Sequence, residues 1–142
     1  MFIIQTESAF DAAHFLKDYQ GKCRNIHGHR WKIIVSIASD HLESEGENRS
    51  MVRDFSDVKN TLKQAVDEFD HSLIIEEGSL KEATLRALLD EDFRICQVPF
   101  RPTAEEFARF FYEVLSRRSF PVYEVQVYET PGNCATYRKE LS

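Results

Sequence analysis

The chain has 142 residues, 30% of them charged, and a formal net charge of −6. A length of this order is read as a single domain, 1–142, that buries about two-thirds of its unfolded surface and needs no staple to fold. The acidic balance argues against a nucleic-acid partner, whose affinity would come from lysines and arginines neutralising phosphates, and leaves a small anionic ligand possible.

Cys23, Cys96 and Cys134 fall at irregular spacing with no CxxC, and the N-terminus lacks the basic-then-apolar layout of a leader. Free thiols in a reducing, cytoplasmic protein are expected. The longest apolar runs, such as IIVSIA at 33–38, are far shorter than the about 20 residues that cross a bilayer, so no membrane partner is expected.

Residues 2–14 open with β-formers, and 29–41 are dense in Trp, Ile and Val; both read as strands, paired as neighbours. The link between them is polar and glycine-punctuated, and 43–50 (ESEGENRS) reads as a charged loop. Over 54–71 the period becomes helical, with Val58, Leu62, Ala65, Val66 and Phe69 on one face and Asp54 or Ser56 as the cap. A shorter helix is expected at 79–92, where Ser79 and Glu82 have capping-box spacing. A third begins at the Thr103–Glu106 capping box and carries Phe107, Phe110, Phe111, Val114 and Leu115 as its apolar stripe. Residues 121–130 alternate, with Tyr123, Val125, Val127 and Glu129 on one face, and PGN turns the chain into a last strand at 134–138. The order strand-strand-helix-helix-strand-strand, counting the two main helices, predicts an α+β domain. Its helices should cover one face of a four-stranded antiparallel sheet.

The chemistry centres on CRNIHGHRW. On a strand, His27 and His29 at i and i+2 point the same way, and Gly28 between them leaves the other face free. His14 closes the first strand and lies beside them in an antiparallel pairing. Three neutral imidazoles match a catalytic zinc with one position open, whereas structural zinc takes four ligands rich in thiolate. Ordinary hydrogen-bonded histidines are the other reading of the same residues. Cys23 lies in a loop between Lys22 and Arg24, where positive surroundings favour the thiolate. General base, fourth zinc ligand and plain loop thiol are all open for it, while Cys96 and Cys134 read as inert packing thiols and His41 as structural. Asp70 and His71 end the first long helix, where a carboxylate can orient an imidazole. Glu129 places a carboxylate on an otherwise apolar strand face.

FDAAHFL, CRNIHGH, VRDFSDVK, DHSLI, RPTAEEFA and YETPGNCATYR, in this order, resemble the 6-pyruvoyltetrahydropterin and 6-carboxytetrahydropterin synthase family from about residue 2 to residue 140. The resemblance implies Zn2+ on His14, His27 and His29, Cys23 as the base and Asp70 with His71 as its relay. It implies Glu129 as the pterin anchor, with Thr103 and Glu105 bordering the pterin. It also implies a tunnelling fold, in which trimers join their sheets into a barrel, two trimers stack as a homohexamer, and active sites lie between subunits. The reaction implied is that of a zinc-dependent lyase turning 7,8-dihydroneopterin triphosphate into 6-carboxy-5,6,7,8-tetrahydropterin, acetaldehyde and triphosphate on the route to queuosine. The pyruvoyl-forming branch, which keeps the side-chain carbons, is the alternative. Lys17, Lys22 and Arg24 are candidates for the triphosphate. Glu106 stands where many members carry asparagine. No acid lies between residues 19 and 27, which speaks against the members that use a glutamate in place of the cysteine. A zinc-stabilised pterin-binding module and a zinc hydrolase are the readings from other classes.

Overall fold

A computed structural model describes residues 1–140. In chain order these form β1 (Phe2–His14), a short 3-10 turn (Lys22–Arg24), β2 (His27–Ser39), α1 (Phe55–Asp67), β3 (Ser72–Glu76) and α2 (Glu82–Asp90). Then follow β4 (Ile95–Val98), α3 (Ala104–Arg117), β5 (Val122–Thr130) and β6 (Asn133–Tyr137). No helix among the described residues is long and apolar enough to cross a membrane.

The sheet has six strands in the order β4-β3-β1-β2-β5-β6. The expected four-stranded antiparallel sheet is present as β1-β2-β5-β6, but β3 and β4 extend it beyond β1, both in parallel pairing, so the sheet is mixed. The element order is accordingly strand-strand-helix-strand-helix-strand-helix-strand-strand. Both added strands are short apolar runs without alternation, SLIIE and ICQV, and such runs have no period that separates a buried parallel strand from a helix.

Two helix boundaries also differ from expectation. Helix α1 stops at Asp67, so Asp70 and His71 lie in the turn beyond it, and α2 starts at Glu82 with Lys81 as its N-cap. The Ser79–Glu82 capping box does not form, and the Ser79 hydroxyl is buried without a protein partner. The other two caps are made. Asp54 accepts from the Ser56 amide at 2.7 Å, and Thr103 accepts from the Glu106 amide at 3.2 Å.

One face of the sheet carries the core. Phe10 and Ala12 of β1, Trp31, Ile33, Val35 and Ile37 of β2, and Val125 and Val127 of β5 pack against Val58, Leu62 and Val66 of α1 and Phe107, Phe111 and Leu115 of α3. Trp31 is fully buried, its ring 6.0 Å from Phe10 and 5.2 Å from Phe107, and its Nε1–H donates to the Ala12 carbonyl at 3.3 Å. Trp31→Ala should cost about 3–5 kcal/mol in urea unfolding, because the site cannot collapse around the missing indole; a cost under about 1 kcal/mol would contradict this packing.

Candidate metal centre

The alternation that builds the core runs on past it. In the β1–β2 register Phe10 faces Trp31, Ala12 faces His29 and His14 faces His27, so all six side chains lie on one face of the sheet. The three imidazoles are the polar end of the apolar stripe. Their ring centroids lie 4.6, 5.1 and 4.8 Å apart, and the indole of Trp31 meets His14 at 4.9 Å and His29 at 5.6 Å, both edge-on. One ligand atom from each histidine lies within 4.8 Å of the other two.

Backbone carbonyls set the tautomers of two of the rings. His14 Nδ1 is 2.7 Å from the Pro102 carbonyl and His27 Nδ1 is 2.6 Å from the Asn25 carbonyl. A carbonyl only accepts, so each Nδ1 carries the proton and each Nε2 presents a lone pair. These two Nε2 atoms are 3.1 Å apart, and two neutral rings in these tautomers have no proton to share between them. Among the described residues His29 Nε2 is buried with no hydrogen-bond partner; Glu129 Oε1 lies 3.4 Å away, where it would pair with the ring only if the ring were protonated, and makes no hydrogen bond. A divalent cation accepting all three nitrogens would remove the repulsion and satisfy the orphan. Three neutral nitrogens without a thiolate are a donor set that leaves a coordination position for substrate.

The other residues singled out in the sequence are distributed around this centre. Cys23 sits half-buried in the 3-10 turn, its carbonyl accepting from the amide of Leu16, two residues beyond His14, at 2.9 Å. Among the described residues, it is not part of the histidine ligand group. Glu129 ends the inward face of β5 beyond Val127 and, with His29, borders a cavity of about 550 Å3. The cations lining that cavity are Arg30, Lys32 and Lys59; Lys17, Lys22 and Arg24, the candidates from sequence, are exposed and not among its lining residues.

Thr103 and Glu105 stand at the start of α3, Thr103 as its cap and Glu105 exposed in the first turn, and neither lines that cavity. Asp70 accepts from the Asp11 amide at 2.9 Å and holds His71 Nδ1 at 2.9 Å, which keeps the Asp70 carboxyl below the usual carboxylate range, the Asp11 amide being the larger cause. His71, with a left-handed backbone (φ 56°), is exposed beside Asp11, Ala13, Gly28 and Arg30. Those side chains alternate away from the metal face, so within one chain the Asp70–His71 pair lies across the sheet from the three imidazoles. Cys96 is half-buried in β4, where burial pushes its thiol up, but Cys134 is exposed on β6 and is no packing thiol.

Sequence reading missed the carbonyls of Pro102 and Asn25, since any residue supplies a carbonyl; the one hint was the proline immediately before a helix cap.

Burial pushes His14 down to about 4, with the neighbouring His27 and His29 adding to the shift and the Pro102 contact opposing it. His29 is lowered too, again chiefly by burial, with Glu129 opposing. The unfolded chain therefore binds protons near pH 6.5 that the folded chain refuses until about pH 4. Stability of the metal-free protein should be full above about pH 6.5 and fall steadily toward pH 4, as read by denaturant midpoints across that range. A flat profile there would contradict a buried neutral His14.

The chain matches the family model described as 6-pyruvoyl tetrahydropterin synthase over residues 3–140. It is 37% identical over 142 residues to the 6-carboxy-5,6,7,8-tetrahydropterin synthase of Haemophilus influenzae, covering 98% of this chain and 100% of that one. The enzyme of the same name from Aquifex aeolicus is 35% identical over 139 residues, covering 90% of this chain and 83% of its own. Among solved structures, an uncharacterized protein from Wolinella succinogenes superposes with a TM-score of 0.78 at 25% identity, over 99% of this chain and 100% of that chain. With the histidine geometry and near full-length matches in agreement, the chain belongs to the 6-pyruvoyl tetrahydropterin synthase family.

Proposed function

We propose that this protein is a lyase that converts 7,8-dihydroneopterin triphosphate and water to 6-carboxy-5,6,7,8-tetrahydropterin, acetaldehyde and triphosphate, in the pathway to queuosine. Relatives carrying the name of the carboxy-forming enzyme, matched over nearly the whole chain, support the product. The observation that carries the chemistry is the convergence of His14, His27 and His29 beside the carboxylate of Glu129. The donor set fits zinc, which when bound supplies Lewis-acid polarisation of a substrate oxygen.

The chain's own residues divide the remaining work. Glu129 accepts paired hydrogen bonds from the guanidine-like edge of the pterin, an ionic contact made strong by its half-buried setting. Cys23 takes the carbon-bound proton beside the polarised oxygen. Thr103 and Glu105 border the pterin only through an assembled site. The same holds for Asp70 and His71, which face away from their own imidazole cluster and are brought to Cys23 by another copy.

Open sheet margins support such an assembly. Among the described residues, strand β3 pairs with β1 only from Ala12 to His14, which leaves Phe2–Phe10 without a strand on that side, and β6 pairs only with β5. Joining of these margins between copies gives the barrel of a trimer, and two trimers give the homohexamer of the tunnelling fold.

Incubation of the purified protein with 7,8-dihydroneopterin triphosphate, with products read by mass, tests the reading. A carboxypterin and acetaldehyde in equal amounts are expected, and a product that keeps all side-chain carbons would overturn it. Cys23→Ala should lower kcat by about 10²–10⁴, the usual contribution of a positioned base, and turnover within twofold of the unsubstituted protein would reject the thiol as base.

A further inference from the structure

The loop over residues 15–26 carries Cys23, yet it has little structure of its own beyond one 3-10 turn. Its root is fixed by the Leu16 amide donating to the Cys23 carbonyl at 2.9 Å, two residues past His14, where the β1–β2 ladder ends. Its outer half is fixed from elsewhere. Arg101, 84 residues away from Lys17 in sequence, donates from Nη2 to the Lys17 carbonyl at 2.8 Å. The same guanidinium lies 5.7 Å from the centroid of the Tyr19 ring. Under that ring the backbone of Gly21 passes so closely that a Cβ there would come within 2.7 Å of Tyr19 Cε1. Gly21 is extended (φ −169°), so its requirement is one of space and not of backbone conformation. From Gly21 the chain enters the turn that presents Cys23, with the Arg24 amide donating back to the Gly21 carbonyl at 3.2 Å.

Arg101 is itself anchored where the metal site is anchored. Its neighbour Pro102 supplies the carbonyl that holds His14 Nδ1, and Thr103 caps α3. A single tripeptide at the head of α3 thus holds an imidazole ligand with one residue and the thiol-bearing loop with the residue before it.

We propose that Arg101 is a positioning residue, which clamps Lys17 and Tyr19 so that the Cys23 turn is held in register with the histidine cluster. The assignment rests on the reading of Cys23 as the base. It predicts a defect in turnover without one in substrate or metal binding, because a base displaced by an ångström loses rate while the ligands stay where they are. Lysine at this position keeps the charge but not the fork that reaches a carbonyl and a ring together.

The test compares Arg101→Gln, Arg101→Lys and Gly21→Ala with the unsubstituted protein. Readouts are kcat and KM, zinc stoichiometry, thermal midpoint and exchange of the Leu16 amide. For Arg101→Gln, kcat should fall about tenfold or more with KM within twofold, and zinc content and midpoint should hold. Leu16 exchange should quicken about tenfold as its bond to Cys23 opens. Arg101→Lys should recover part of the rate, and Gly21→Ala, which forces the Tyr19 ring from its place, should reproduce the loss with Arg101 intact. Unchanged Leu16 exchange, or kcat within twofold of the unsubstituted protein, overturns the assignment. Cys23→Ala in parallel separates the two claims. Full turnover in that variant defeats the base reading, whereas an inactive Cys23→Ala beside a fully active Arg101→Gln defeats the positioning claim alone.

Discussion

Two adjacent strands carry the core and the chemistry on one face, and every other feature of the site depends on that register. From Phe10 and Trp31 to His14 and His27 is a step of four residues along each strand, so the imidazoles are placed by the same ladder that places the aromatic core. A slip of one residue between the two strands would put His14 on the opposite face from His27 and His29. The buried indole of Trp31 then acts as a floor, meeting His14 and His29 edge-on. Nitrogen lone pairs that repel one another at 3.1 Å are tolerable only when a packed core and fixed carbonyls hold the rings in place. The stability of the fold is thereby used to preorganise a cation site, which is where a protein can store such local conflict.

The site is layered in depth. At the bottom is an aromatic floor; above it are the histidines, with burial disfavouring protonation of His14 and His29. At the margin stands Glu129, half-buried, bordering the cavity that Lys32 and Lys59 also line. The opposite face carries Asp11, Arg30, Asp70 and His71 as a surface network, with Arg30 donating to Asp11 at 3.0 Å. One chain alone holds the three imidazoles on one side of its sheet and the acid–imidazole pair on the other.

Much of this was legible in the sequence because it follows from periods. The i, i+2 spacing of His27 and His29 and the alternation of Val125, Val127 and Glu129 need only the pleat to be read correctly. The Asp54 and Thr103 caps follow from hydroxyl and carboxylate chemistry at helix starts. What escaped reading has no such period. SLIIE and ICQV are uniform apolar runs, so β3 and β4 were hidden between helices, and with them the mixed character of the sheet. Ser79 has capping-box spacing, but the helix begins three residues later and its hydroxyl is left buried. The cavity cations come from β2 and α1 and not from the loop nearest in sequence, since which face a lysine takes depends on how strands splay. Carbonyls of Pro102 and Asn25, which decide two tautomers, belong to the backbone and carry no residue signature.

The central claim is that three imidazole nitrogens, and no sulfur, bind one divalent ion. X-ray absorption at the zinc edge of the loaded protein measures this directly. Nitrogen or oxygen scatterers alone are expected at about 2.0–2.1 Å, with multiple scattering from three imidazoles. A sulfur shell near about 2.3 Å would make Cys23 a ligand and not a base, and failure to bind zinc at all would contradict the reading of the cluster.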